Sequence, residues 1–315
     1  MEKHDHTGLT AAEISTLWNA YQIDTMAVCG LKHFLAHVED KDIKALMEKM
    51  LSDTYVRIER LTDFFHRENH LVPHGFTEKD VNLNAPRIFS DKLYLEYMLH
   101  MTIATMTTHA ASTAVVTRQD VADFFGENLV NAKDLHQEAK QLSLEKRTLI
   151  RPPSIPRARK IDFVKKQRFL AGWFAERRPL LATEITNLVF NAKRNAVGHA
   201  AITGFSQIAK SKEVRKYFER GKDIALKHME IFSEILHKES LDEGALLMTS
   251  EVTDATDSPF SDRIMLFLIT TLITSGIGQY GISMSMSPRH DLGAQFARII
   301  AEITTYADDG AHILI

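Results

Sequence analysis

The chain carries one cysteine, Cys29, among its 315 residues. That excludes an intrachain disulfide, a cysteine-rich zinc site and a redox thiol pair, and makes a reducing, cytoplasmic compartment the expected setting. Glycine (14) and proline (8) are also scarce, so the punctuation of a turn-rich β-protein is missing and long helices with short connections are favoured. No excess of one charge exists either. A formal net charge of −3 gives no overall pull toward nucleic acid. The first residues, MEKHDHTGLTAAE, lack the basic and apolar regions of a signal peptide. No glycine-rich phosphate loop, nucleophile elbow or Ser/His/Asp constellation occurs.

What is present is a repetition. Glu13 and Glu184, Phe34 and Phe205, Glu59 and Glu230, His66 and His237, Asp120 and Asp291, and Phe125 and Phe296 all share one spacing, 171 residues. Phe89-Ser90-Asp91 returns at the same offset as Phe260-Ser261-Asp262. Such a period exceeds the 20–50 residues of solenoid repeats, and each copy is long enough to bury a core of its own. The expected division is a first domain over 1–150, a basic, proline-containing connector over 151–180, and a second domain over 181–315.

Each copy shows four long stretches with apolar residues at i, i+3, i+4 and i+7. In the first copy Ile14, Leu17, Trp18, Tyr21 and Val28 form one stripe, and Val121, Phe125, Ala132, Leu135 and Ala139 another. Helices one and two, and three and four, are separated by a few residues and must be antiparallel neighbours. About 20 residues separate helices two and three, enough to run the length of a bundle. The fold expected is all-α: two tandem ferritin-like four-helix bundles, each up-down-down-up with a long crossover.

Two stretches qualify this reading. Ile264 to Pro288 contains no charged residue and is long enough to cross a bilayer, but its many serines, threonines and glycines argue for a helix buried on most sides and against a membrane span. The connector is rich in Lys and Arg, and its Phe163, Leu170, Trp173 and Phe174 predict a short amphipathic helix.

At LTAAEISTLW (from Leu9), VPHGFTEKDVNLNAPRIFSD (from Val72), IRPPSIP (from Ile150), FLAGWFAERRPL (from Phe169), GFSQIAKSKEVRKYF (from Gly204) and SPFSD (from Ser258) the chain resembles domain-of-unknown-function family 3231 of spore-forming Gram-positive bacteria. The likeness covers essentially the whole chain. It implies tandem ferritin-like bundles distantly similar to spore coat protein F, with spore association and spore-coat proteins or a second copy as partners. It implies no known activity, and it implies a sequence that continues past the final Ile-Leu-Ile.

A ferritin-like di-iron centre needs a glutamate from each of two helices and Glu-x-x-His from the other two. Helix two offers Asp63-x-x-His66 and Glu234-x-x-His237, but helix four offers no Glu-x-x-His in either copy, so an ordinary ferroxidase is disfavoured. Antiparallel pairing places Glu13 near the level of His66 and Glu184 near that of His237, at a bundle end where an ordinary salt bridge is the simpler account. His228 lies on the apolar stripe of its helix, and the crossover topology puts Glu302, Asn191 and Asn195 at its height. These groups could hold an iron, manganese or zinc ion or a polar ligand; the plainer alternative is a buried histidine with one hydrogen bond. The first copy has Arg57 and Asn131 at the matching positions. His100 and His136 also share a level, where a packed pair is expected. The function expected is therefore a non-catalytic, sporulation- or stress-associated bundle protein. The alternative is a metal-binding ferritin-like protein or oxidoreductase with a reduced ligand set, His228, Glu302, Glu184 and His237, in the second bundle.

Overall fold

The computed structural model describes residues 8–161, 163–172, 177–242 and 246–314. Among them the chain is all-α, with helices α1 (Ala11–His37), α2 (Lys41–Arg67), α3 (Asp91–Val115), α4 (Gln119–Glu145), α5 (Ala182–Ile208), α6 (Lys212–Lys238), α7 (Asp262–Ser285) and α8 (His290–Leu314). Two compact units result. One comprises Met1–Leu149 with Asp257–Ile264, the other Ile150–Thr256 with Met265–Ile315.

The helix starts follow from local chemistry. Thr10 caps α1 in a capping box with Glu13, Asp40 caps α2, Ser90 caps α3 and Ser211 caps α6, each satisfying amides that the helix itself leaves open. Helix α4 has no such cap. Its preceding amides, Thr117 and Arg118, instead donate to Glu13 Oε1 at 2.9 Å each, so the carboxylate that caps α1 also closes the turn before α4.

In the first unit, Lys49 pairs with Glu138 and Arg60 with Glu127 at 2.6 Å, which sets α2 and α4 antiparallel. Glu13 meets Thr117 and Phe34 stacks near Tyr94, which does the same for α1 and α3. The second unit repeats this with Arg220 and Asp309 and Lys227 and Glu302 on α6 and α8, and with Asn191 and Ser283 on α5 and α7. Each unit is therefore an up-down-down-up bundle with its crossover between the second and third helices. Leu17, Leu61, Phe64, Phe65, Phe124 and Phe125 fill one core; Leu188, Phe218, Phe232, Leu236, Phe296 and Ile299 are buried in the other.

The segment Asp257–Ile264 completes the first unit through the crossover. Val81 and Phe260 form an antiparallel bridge, Asn82 N–H donates to the Pro259 carbonyl at 2.7 Å and Ser261 N–H to that of Asp80 at 3.0 Å. The Phe260 ring lies 5.3 Å from that of His33. These bonds satisfy backbone groups of the crossover around Val81.

Helix α7 is the one described helix long and apolar enough to cross a membrane by length and composition. Its first half is largely buried, with Met265, Leu266 and Ile273 in the core, whereas Ile282 and Met284 near its end are exposed; burial on most sides holds only for the first half. In the connector the expected amphipathic helix does not form among the described residues, where only a short 3-10 turn, Gln167–Leu170, occurs. Arg178 takes the Phe169 carbonyl at 2.9 Å and lies over the Phe169 ring. Trp173 and Phe174 lie outside the described residues.

Candidate functional site

His228 of α6 is fully buried at mid-bundle in the second unit. Its Nε2 lies 3.2 Å from Glu302 Oε2 of α8 and its Nδ1 lies 3.2 Å from the Tyr280 hydroxyl of α7. Burial lowers the His228 pKa, and the Glu302 carboxylate only partly offsets that effect, so the ring is neutral near pH 7. Burial also opposes ionisation of Glu302, but hydrogen bonds from Lys227 and His228 outweigh it and hold its pKa below the usual value. An ionised carboxylate can only accept, so Nε2 carries the proton and Nδ1 is an acceptor, facing the Tyr280 hydroxyl, whose single proton is also within reach of Asn195 Oδ1 at 3.1 Å. Lys227 donates to the other Glu302 oxygen at 2.7 Å.

The chain of polar groups continues into α5. Asn195 Nδ2 donates to the Tyr280 oxygen at 2.8 Å and to the Asn191 carbonyl at 2.8 Å. Asn191 Nδ2 donates to Ser283 Oγ at 2.8 Å, and Ser283 donates onward to the Gln279 carbonyl. Burial pushes the Tyr280 pKa up to about 12, so it stays a phenol. A continuous path thus runs from the half-buried Glu302 through His228 and Tyr280 to the amides of α5. Its members orient one another, and a buried partner left unpaired costs about 1–3 kcal/mol.

The first unit builds the same layer from different residues. At the positions 171 residues earlier stand Asp24 for Asn195, Arg57 for His228, His109 for Tyr280 and Asn131 for Glu302. Arg57 Nη2 donates to Asp24 Oδ1 at 2.7 Å and to Thr54 Oγ1 at 2.9 Å, with both charged groups mostly buried. Neither ring nitrogen of His109 finds a hydrogen-bond partner, and burial pushes its pKa down to about 4. An ion pair in one copy and a neutral relay in the other therefore occupy one structural position.

The remaining sequence candidates fall differently. Glu184 is fully buried, but it accepts from both Arg178 terminal nitrogens at 2.7 and 2.8 Å, from Leu181 N–H and from Arg289 N–H. His237 is exposed and is not among its partners. What stands beside Glu184 is Arg289, which reaches Glu239 at 2.7 Å and Asp291 at 2.8 Å. Glu13 and Arg118 repeat the arrangement, with Arg118 on Glu68 and Asp120. The predicted glutamate–histidine level is thus an arginine clasp, because the turn before the fourth helix delivers its arginine to the bundle end where His66 and His237 point to solvent. His136 Nδ1 bonds Thr102 Oγ1 at 3.0 Å, and His100 Nδ1 bonds its own Glu96 carbonyl.

Asp63, His66, Glu234 and His237 are all exposed, so the Asp-x-x-His and Glu-x-x-His spacings of α2 and α6 do not point into a core. Among the described residues no group of three or more His, Cys, Asp or Glu converges. The donor set at mid-bundle does not fit a di-metal centre: the α5 positions are amides, Glu302 is shared between an ammonium and an imidazole, and both His228 nitrogens are engaged. Tyr280 and Ser283 were missed by the sequence reasoning. Their signal was the matched offset of Tyr280 with His109, a polar aromatic placed twice in an otherwise uncharged helix.

The family described as "Protein of unknown function (DUF3231)" matches residues 2–161 and again 168–315. No curated protein matches. Among solved structures, a Bacillus halodurans protein described as a candidate spore coat protein is similar at 18% identity, covering 48% of this chain and 98% of its own length with a TM-score of 0.44.

Proposed function

Since the chain belongs to the DUF3231 family of proteins of unknown function, we propose that it is a non-catalytic tandem bundle protein acting through its surfaces, in a sporulation- or stress-associated role. One observation carries the non-catalytic part. The mid-bundle layer, where a ferritin-like protein would assemble its chemistry, is occupied in the second unit by Glu302 bonded with His228, Tyr280 and Asn195, and in the first by the ion pair of Asp24 with Arg57 beside His109, whose ring nitrogens make no hydrogen bond. Such networks specify one packing and leave few lone pairs for a substrate. The resemblance to a family of spore-forming bacteria supports the setting, and homo-oligomers or coat proteins are the partners it suggests.

The rival reading is a metal-binding oxidoreductase that uses His228 and Glu302. Its support is their 3.2 Å approach; Lys227 on the same carboxylate weighs against it, because a cation would have to displace that ammonium. Elemental analysis of protein purified without added metal, combined with an oxygen-consumption assay, separates the two. A stoichiometric redox metal that His228→Ala removes, with turnover, would overturn the non-catalytic reading.

A further inference from the structure

The first unit contains a cavity of about 250 Å³ between α1, α2 and the crossover. Its walls are apolar: Val28 of α1, Ile58 of α2, and Phe76 and Val81 of the crossover. The polar atoms inside are already committed. Thr25 Oγ1 accepts the Phe76 N–H and donates to backbone carbonyls of its own helix, and the Cys29 thiol donates to the Thr77 carbonyl at 3.4 Å.

The rim differs. Lys32 and Tyr55 both line it, and Lys32 meets, at 3.4 Å, a Glu78 carboxylate that is 90% exposed. An ammonium has three donors and no acceptor, and Glu78 takes one of them; a phenol likewise has an O–H to give. Both spare groups at the rim are donors, and the Glu78 contact is an exposed ion pair of the kind worth less than about 1 kcal/mol, so an incoming anion can displace it at little cost.

The duplication shows that this rim is not demanded by the fold. The matched positions of the second copy hold His199 for Val28, Ala200 for Cys29, Thr203 for Lys32, Leu226 for Tyr55 and Thr249 for Glu78. A bundle of the same design is built there with neither the ammonium nor the phenol.

We propose that this cavity is a binding site for a small amphiphile, with its apolar body between Val28, Ile58, Phe76 and Val81 and an anionic head, such as a carboxylate, on Lys32 and Tyr55. Apolar walls with a few convergent polar groups are the usual composition of a small-molecule site, and a charge-assisted bond to the head would supply the selectivity.

The test uses the whole chain with octanoate, octanol and octylammonium as probes, observed by ligand-detected NMR and titration calorimetry. Octanoate is expected to bind, with octanol about tenfold weaker, the loss of one charge-assisted bond, and octylammonium weaker still. Lys32→Met should bring octanoate down to the octanol level while leaving octanol unchanged. Val28→Trp, which fills the cavity, should abolish both; circular dichroism checks that it folds, and if it does not, the Lys32→Met comparison decides. No octanoate binding, or equal binding of all three probes, or an unchanged octanoate affinity in Lys32→Met, overturns the proposal.

Discussion

Tyr217 and Tyr306 exchange hydrogen bonds: the hydroxyl of Tyr217 donates to the carbonyl of Tyr306 at 3.3 Å, and the hydroxyl of Tyr306 donates to the carbonyl of Tyr217 at 3.0 Å. Their rings stack at 4.2 Å, 8° from parallel. Gly221 and Gly310 make this possible, because a Cβ on Gly221 would strike the Tyr306 hydroxyl and one on Gly310 the Tyr217 hydroxyl.

Gly221→Ala should therefore destabilise the second unit by about 1–2 kcal/mol, the overpacking penalty less the helix-propensity gain of alanine. Tyr306→Phe removes the atom that the new methyl meets, so the double variant should recover part of the loss relative to the sum of the singles. Urea denaturation of the four proteins measures the cycle. Strict additivity would show that the glycine is not there for the tyrosine.

Tyr280→Phe leaves His228 Nδ1 and the Asn195 amide short of a partner inside the second bundle. The expected loss is about 1–3 kcal/mol, read from urea midpoints. His228 should also change its ring-nitrogen chemical shifts, since the tautomer is set by the pair Tyr280 and Glu302; unchanged shifts would contradict the relay.

Acid should weaken the first unit in two stages. Burial pushes His33 down to about 4 from 6.5 and His109 to the same level. The unfolded chain takes these protons near pH 6.5 and the folded chain only near pH 4, so stability is complete above 6.5 and falls as pH drops to 4, by about 3 kcal/mol per histidine. Glu13 acts lower down. Although burial opposes its charge, the bonds from Thr10, Arg118 and Thr117 bring its pKa to about 2, and its contribution is lost between 4.5 and 2. His109→Phe should remove roughly half of the loss in the upper window, measured as urea midpoints from pH 7 to 4; a slope unaltered by the substitution would refute the assignment.

The two arginine clasps should respond unequally. Arg289 is 1% exposed and holds Glu239 and Asp291, whereas the Arg118 side chain is 18% exposed. Removing one member of a buried ionic set costs about 3–5 kcal/mol and far less where water reaches the remaining charge. Arg289→Met should thus lower the thermal midpoint more than Arg118→Met. Equal shifts would show that burial does not govern these clasps.

The eight helices and the crossover were legible because each stripe and each connection length constrains topology independently, and the 171-residue offset tests every assignment twice. His228 and Glu302 were legible as a pair for the same reason: antiparallel register converts sequence number into height. Height says nothing of which side chain wins a position. Glu184 shares a level with His237, yet Arg178 and Arg289 reach it from outside the α5–α6 pair, and a bidentate guanidinium displaces an imidazole that prefers water. Tyr280 escaped because an uncharged helix offers no stripe to read.

The place of Asp257–Ile264 in the first unit has a consequence for synthesis. A chain emerging from the ribosome presents α1 to α4 first, and domains generally fold as they emerge, at about 5–20 residues per second. The strand that pairs with Val81 and the ring that covers His33 belong to residues made roughly a hundred positions after Leu149, an interval of about 5–20 s at that rate. During it the nascent first bundle has its helices but lacks the segment that bridges Val81 and covers His33, so this edge is the last part of the first unit to close.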